Sequence, residues 1–159
     1  RNIRYGGIPR FGAEKPDGLA QISSENIDAI ATYDRTFFGA PRMRFLVSWL
    51  ETTGHVGYMH RIAGAVTGYG ITPPCRDGYK IGPLFADNAE IATRLFDALG
   101  SHSAGNPVFL DSPEPNSAAI DLCSRQGLEP IFETARMYRG PAPDLALDRT
   151  FGITSFELG

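Results

Sequence analysis

The stretch from Tyr79 to Gly100, YKIGPLFADNAEIATRLFDALG, reads as a strand that turns directly into a helix. In α/β proteins such a junction often binds anions, because the first turn of a helix offers unpaired N–H donors and the positive end of the helix dipole. Here the turn itself has no glycine, and Asp87 and Glu90 lie where an anion would rest. The junction is therefore either a modified anion site or a helix that caps itself.

The spacing of the acidic residues favours the self-capped helix. The run Asp87-Asn88-Ala89-Glu90 has the D-x-x-E spacing of a capping box. It predicts that Asp87 accepts a hydrogen bond from the N–H of Ala89 or Glu90. A phosphate would also be repelled, by about 4 kcal/mol for two unit charges ~4 Å apart at an effective dielectric constant of ~20.

A second group of polar residues suits the binding of an amine. Asp111, Glu114 and Asn116 follow the carboxyl end of a predicted parallel strand, where α/β sheets commonly bind ligands. Arg136 and Tyr138 are two positions apart on a predicted neighbouring strand and would share one face. Together they could form a polar pocket for a small-molecule amine. In the alternative interpretation, Asp111 and Asn116 satisfy turn and cap donors, and Arg136 pairs with Asp111.

These residues need a mixed sheet to position them. Hydrophobic periodicity and turn residues predict the order α-α-β-β-β-α-β-α-β-β, with hairpins at both ends of the chain. Strand 79–85 and strand 107–111 are predicted to be parallel neighbours, joined by helix 88–99. A further helix is expected over about 117–126, and the last two strands are expected in IFETARMYRG and FGITSFELG.

Composition excludes several classes of function. The chain has 159 residues and a net charge of −3, which gives no support to nucleic-acid binding, and it has no apolar run long enough to cross a membrane. Cys75 and Cys123 are expected to be reduced thiols of a cytoplasmic protein. The three histidines and two cysteines have no metal-binding spacing, so no metal is expected.

The chain resembles the GCN5-related N-acetyltransferase (GNAT) family over about residues 24–159. The run NSAAIDLCSRQGL is similar to the family's N-x-x-A-x-x-L…G-[FL] helix, with matching residues at Asn116, Ala119, Leu122, Gly127 and Leu128. The runs GYKIGPLFADN and ETARMYRG resemble the second, C-terminal domain of a tandem acetyltransferase. The resemblance implies an α/β (α+β) fold, with a mixed sheet of about six to seven strands, helices on both faces and a central strand–helix–strand crossover.

The resemblance also implies an activity, the transfer of an acetyl group from acetyl-CoA to an amine. The residues that would meet acetyl-CoA are those at the strand–helix junction and the helix cap, namely Leu84, Ala86, Ala89, Glu90, Ile91 and Asn116. The family's [QR]-x-x-G-x-[GA] pyrophosphate loop is absent, however. The chain is therefore expected to be the substrate-side half of an enzyme whose other half binds acetyl-CoA. The alternative is a catalytically inactive module for small-molecule binding or assembly.

The acid that protonates the leaving thiolate is also unsettled. Active family members often have a Tyr four residues before the terminal Gly of the Asn-led helix, and Cys123 takes that place here. Cys123 and Tyr138 are the candidates for this role. A buried core position is the favoured interpretation of Cys123.

The two ends of the sequence echo each other. IRYGGIP (3–9) is similar to RMYRGPAP (136–143). This similarity predicts that residues 1–20 are a strand fragment and linker, the tail of a preceding domain, and that residues 21–159 form the GNAT-like domain. Residues 3–8 are then expected to pack as an appendage outside the core. A homodimer is left open.

Overall fold

A computed structural model describes residues 1–10 and 18–158 of the chain. Within them, the α-helices are α1 (Ile27–Phe38), α2 (Met43–Glu51), α3 (Ala89–Gly100) and α4 (Ser117–Arg125). The strands are β1 (Asn2–Gly7), β2 (Leu19–Gln21), β3 (Val56–Ile62), β4 (Ala65–Thr72), β5 (Pro74–Cys75), β6 (Gly78–Ile81), β7 (Leu84–Ala86), β8 (Val108–Pro113), β9 (Glu129–Thr134) and β10 (Thr150–Gly152). None of the helices in these two ranges is long and apolar enough to span a bilayer.

The strands form two five-stranded sheets rather than one. The first sheet has the order β5-β6-β8-β1-β9, and the second has the order β10-β7-β4-β3-β2. Strands β6 and β8 are parallel, while the other pairs in the described residues are antiparallel. Helices α3 and α4 bury their apolar faces in one hydrophobic cluster, and α1 and α2 bury theirs in another. The predicted mixed α+β class is confirmed.

The predicted strand 79–85 is divided between the two sheets. Strand β6 pairs in parallel with β8, as expected for a crossover through α3, with Tyr79 opposite Val108. Strand β7 instead joins the second sheet, so the prediction is wrong for its last residues. The break between β6 and β7 begins at Gly82, where a Cβ atom would lie only 2.6 Å from the carbonyl oxygen of Thr154. A side chain at this position would therefore collide with the backbone that follows β10.

The first strand is an integral part of the fold, so its prediction as an appendage is wrong. Strand β1 lies between β8 and β9 and pairs with both. Tyr5 is buried in the main core. Counting large apolar residues missed two features of this strand: Gly6 packs closely against Phe109 and Ile131, and Arg4 has a buried partner in the neighbouring strand.

The Asn-led helix forms as predicted. The Asn116 side chain accepts a hydrogen bond from the N–H of Ala119 at 3.1 Å and caps α4. Gly127 follows the helix with a φ of 73°, the left-handed conformation that glycine adopts most readily. The next predicted strand is shorter than expected, because β9 ends at Thr134. Arg136 and Tyr138 therefore lie beyond the strand on which they were predicted.

Candidate functional site

Strand β10 lies between β7 of the second sheet and β8 of the first, in a space called the groove below. Strand β10 pairs antiparallel with β7, with Thr150 opposite Phe85 and Gly152 opposite Leu84. The other edge of β7 pairs with β4, where Ala86 lies opposite Gly68. Both edges of β7 are thus occupied by the chain itself.

Residues of β8 and the N-cap residue of α4 hold β10 and the residue that follows it on the other side. Ser112 donates from its hydroxyl to the carbonyl of Phe151 at 2.8 Å, and the N–H of Ile153 donates to the carbonyl of Asp111 at 2.9 Å. The Asn116 amide donates to the carbonyl of Thr150 at 2.9 Å. Asn116 therefore caps α4 and holds β10 at the same time, which is a structural use of a residue predicted to meet acetyl-CoA.

The N-terminus of α3 is capped one residue later than predicted. The Asn88 side chain, not that of Asp87, accepts from the helix, at 3.0 Å from the N–H of Ile91. With Asn88 at the N-cap, Glu90 does not occupy the third helical position that a capping box requires. The prediction that Asp87 caps α3 is wrong, although the helix is capped by its own sequence.

Asp87 is instead held by two side chains from other elements. Its Oδ1 atom accepts from the hydroxyl of Tyr33 at 2.7 Å and from Nη1 of Arg149 at 3.2 Å. Burial and the Asp87 hydrogen bond raise the pKa of Tyr33. Arg149 lies in the short 3-10 turn just before β10. This contact therefore ties the start of β10 to the junction between β7 and α3.

Cys123 lies inside the core, away from any solvent-facing site. Its side chain is buried, and its nearest polar partner is Ser112, with 3.6 Å between Sγ and Oγ. Burial raises the pKa of this thiol to about 12. The position thus suits a packing residue, and Cys75 is the exposed cysteine of the chain.

We expect the two cysteines to differ sharply towards alkylation. At pH 8 a pKa of about 12 instead of 9 lowers the thiolate fraction of Cys123 by about a thousandfold. Alkylation slows by the same factor, because only the thiolate reacts. Iodoacetamide should therefore label Cys75 alone in the folded protein, as read by peptide mass spectrometry. Both residues should react in 6 M guanidinium, and equal labelling in the folded state would contradict the buried position.

Asp111 and Glu114 lie in different places and do not form one pocket with Arg136. Asp111 is fully buried and pairs with Arg4 (Nε to Oδ1, 2.6 Å) and Lys80 (Nζ to Oδ2, 3.1 Å). Glu114 pairs with Arg1 at the surface. The predicted pairing of Asp111 with Arg136 is wrong, because β1 places Arg4 directly opposite Asp111.

Arg136 and Tyr138 meet at a cavity of about 280 Å³ near the C-terminal end of α1. Its floor includes Phe37 and Phe85, whose rings stack at 4.1 Å between centroids. Asp144 also lines the cavity, together with the aliphatic side chains of Leu145, Leu147 and Ile153. Among the residues proposed for a substrate, Arg136 and Tyr138 are the two that the structure brings together.

A buried polar network next to this cavity was missed from the sequence. Asp34 of α1 accepts two hydrogen bonds from Arg42, both at 2.7 Å, and a third from the Tyr69 hydroxyl. Arg42 also donates to Thr154 at 3.2 Å, just beyond β10. Burial alone would lower the pKa of Arg42, but its hydrogen bonds to Asp34 raise it overall. The network joins α1, the start of α2, β4 and the end of β10.

One signal in the sequence could have revealed this network. Ile30, Asp34 and Phe37 share one face of α1 at helical spacing, and all three are buried. A carboxylate in an apolar stripe requires a buried partner. No comparable signal points to a metal site, and the described residues contain no group of three His, Cys, Asp or Glu side chains that could hold an ion.

The fold and the Asn-led helix together define a class of protein. Residues 30–152 match the model of the acetyltransferase (GNAT) domain. The chain belongs to this family.

One relative supports the same assignment, and two solved structures share the fold. The chain is 33% identical over 157 residues to the holothin acyltransferase of Pseudoalteromonas sp. (strain SANK 73390), a match that covers 98% of the chain and 53% of the relative. A solved Pyrococcus horikoshii protein assigned to the acetyltransferases has a TM-score of 0.78 at 22% identity, covering 99% of this chain and 51% of that one. A GNAT-family acetyltransferase from Colwellia psychrerythraea has a TM-score of 0.65 at 15% identity, covering 81% and 52%. The chain thus spans about half the length of these relatives.

Proposed function

We propose that this chain is one domain of an acyltransferase that acylates a small amine, and that it is the domain that does not bind the acyl-CoA. The observation that supports this role is the position of β10. In the GNAT family the pantetheine arm can pair with the strand that corresponds to β7. Here β10 itself pairs with an edge of β7, and the side chains of Ser112 and Asn116 hold β10 in place.

The turn between β7 and α3 is also a poor site for the pyrophosphate of acetyl-CoA. The Asn88 side chain already occupies the N–H of Ile91, and the carboxylate of Asp87 lies beside the first turn.

The cavity beside α1 is a more suitable site for the acceptor. Its stacked aromatic floor suits an apolar body, and Asp144 on its rim suits an ammonium group.

A catalytically inactive binding module is the second candidate. The same filled groove favours it, because a module that has lost catalysis has no need of a cofactor groove. The two candidates differ in one measurable respect: the acyltransferase proposal requires transfer by the protein that contains this domain, and the module proposal excludes it.

Calorimetry with acetyl-CoA tests the role of the domain. We expect residues 1–159 to bind acetyl-CoA with a dissociation constant weaker than about 100 μM, since β10 already fills the groove. A constant at or below about 10 μM, worth roughly 7 kcal/mol, would overturn the assignment of cofactor binding to another domain. The matched control is desulfo-CoA, which would show the same heat if only the nucleotide end were bound.

A thiol-release assay on the complete gene product tests the reaction class. We expect CoA thiol to appear when acetyl-CoA is mixed with the protein and a panel of primary amines. If no amine in the panel gives thiol release above the rate without amine, the inactive-module proposal replaces acyl transfer.

A further inference from the structure

The segment that follows β9 resembles β1 in sequence but has a different environment. The run Tyr138-Arg139-Gly140 repeats the Tyr-x-Gly spacing of Tyr5-Gly6-Gly7, and proline follows shortly after both. Residues 135–140 are called the YRG segment below. One copy of this pattern is a paired strand, and the other is not.

Strand β1 shows what the pattern fits. It lies between β8 and β9, with Tyr5 opposite Leu110 on one side and Pro130 on the other. The Tyr5 side chain is buried, and a Cβ atom at Gly7 would lie only 3.3 Å from the carbonyl oxygen of Gly127, which precedes β9. The Tyr-x-Gly pattern thus matches a narrow position between two antiparallel strands.

The YRG segment has no such partner in this domain. No backbone hydrogen bond joins residues 135–143 to the parts of the chain that the structure describes. Met137 is 86% exposed and Tyr138 is 43% exposed. Ile131 and Phe132 on the adjoining β9 are also more than half exposed. Exposed apolar side chains on an unpaired backbone next to a strand are typical of a segment that pairs with another sheet.

We propose that the YRG segment inserts as a strand into the sheet of a second GNAT-like domain, at the place that β1 occupies in this one. The sequence similarity to β1 defines the partner, since a position that accepts Tyr-x-Gly must be built like the one between β8 and β9. The relatives are about twice as long as this chain and have room for such a domain. A second copy of this chain fits less well, because its own β1 already fills the position.

The insertion moves two residues discussed above. Arg136 and Tyr138 leave the rim of the cavity beside α1, and its floor of Phe37 and Phe85 becomes more open to an acceptor. The inference shares with the proposed function the need for a second domain, but its test uses no activity measurement. A failure of strand insertion is therefore distinguishable from a failure of acyl transfer.

Hydrogen exchange compares the YRG segment in two contexts, the complete gene product and residues 1–159 alone. We expect the amides of residues 136–140 to exchange at least about a hundredfold more slowly in the gene product, because strand pairing protects them. The amides of β1 serve as the internal control and should be protected in both. Fast exchange of residues 136–140 in both proteins would overturn the proposal. Protection that appears in residues 1–159 alone and grows with concentration would also overturn it, in favour of a second copy.

A proline variant separates backbone pairing from side-chain contacts. Met137→Pro should leave the melting temperature of residues 1–159 within about 1 °C of the unmodified chain, because the backbone there is unpaired. In the gene product the same change should lower the melting temperature by about 5 °C or more, since proline removes a donor and blocks a central strand. Met137→Ala is the matched control and should have the smaller effect. Equal effects of the two variants in the gene product would contradict strand insertion.

Discussion

Replacing Asp34 by Ala is expected to destabilise the domain by about 3–5 kcal/mol, the usual loss when one partner of a buried ion pair is removed. The side chains of Asp34 and Arg42 are only 1% and 8% exposed, so neither can be solvated by water in the folded state. The variant leaves the Arg42 guanidinium and the Tyr69 hydroxyl without their shared acceptor. Urea unfolding followed by tryptophan fluorescence measures the change in the free energy of unfolding.

Asp28→Ala is the matched control for this variant. Asp28 lies on the same helix but is exposed in its first turn, so its loss should cost no more than about 1 kcal/mol through the helix dipole. A loss of less than 1 kcal/mol for Asp34→Ala would show that Arg42 finds another partner or reaches solvent. In that case the network is not a structural tie between α1 and β10.

Asp111→Ala is the second change with a large expected effect. Asp111 is fully buried between Arg4 and Lys80, and its removal leaves the nearly buried Lys80 ammonium without its carboxylate. We expect a loss of about 3–5 kcal/mol at pH 6. Glu114→Ala is the control, because Glu114 pairs with Arg1 at the surface, and it should have little effect on stability.

The loss caused by Asp111→Ala should depend on pH in a definite direction. Burial already lowers the pKa of Lys80 from its ordinary value of 10.5, and Asp111 opposes that effect. Without Asp111 the folded-state pKa falls further, so the unfolded chain binds more protons between that lowered pKa and 10.5. Stability of the variant therefore rises with pH in this window. Chemical unfolding at pH 6 and pH 9.5 should show a smaller difference from the unmodified protein at the higher pH, and an unchanged or larger difference would contradict the role of Lys80.

Local sequence was sufficient for the helices and for much of the fold class. Asn116 and Gly127 mark the two ends of α4 because caps depend on neighbouring residues alone. The parallel pairing of β6 with β8 also followed, since a helix of the length of α3 joins them. Side-chain patterns within one element were therefore informative.

Pairings between distant elements could not be predicted in the same way. The alternation in β1 indicated a strand, but no local feature showed that it would lie between β8 and β9. The IFETARMYRG pattern likewise suggested one long strand, yet β9 ends at Thr134, and the neighbouring place is filled by β1. For β10, a run of three residues gave no indication that its partners would be β7 and the side chains of Ser112 and Asn116.

The central position of β1 has a consequence for synthesis of the chain. Arg4 and Asp111 are paired although 107 positions separate them. Such distant pairings slow folding, because the entropy of closing a long loop must be overcome before the contacts form. At a translation rate of about 5–20 residues per second, β1 waits roughly 5–20 s for β8 to be made. During that time Tyr5 and both edges of β1 are exposed on the nascent chain, which makes this strand a natural target for chaperones that act at the ribosome.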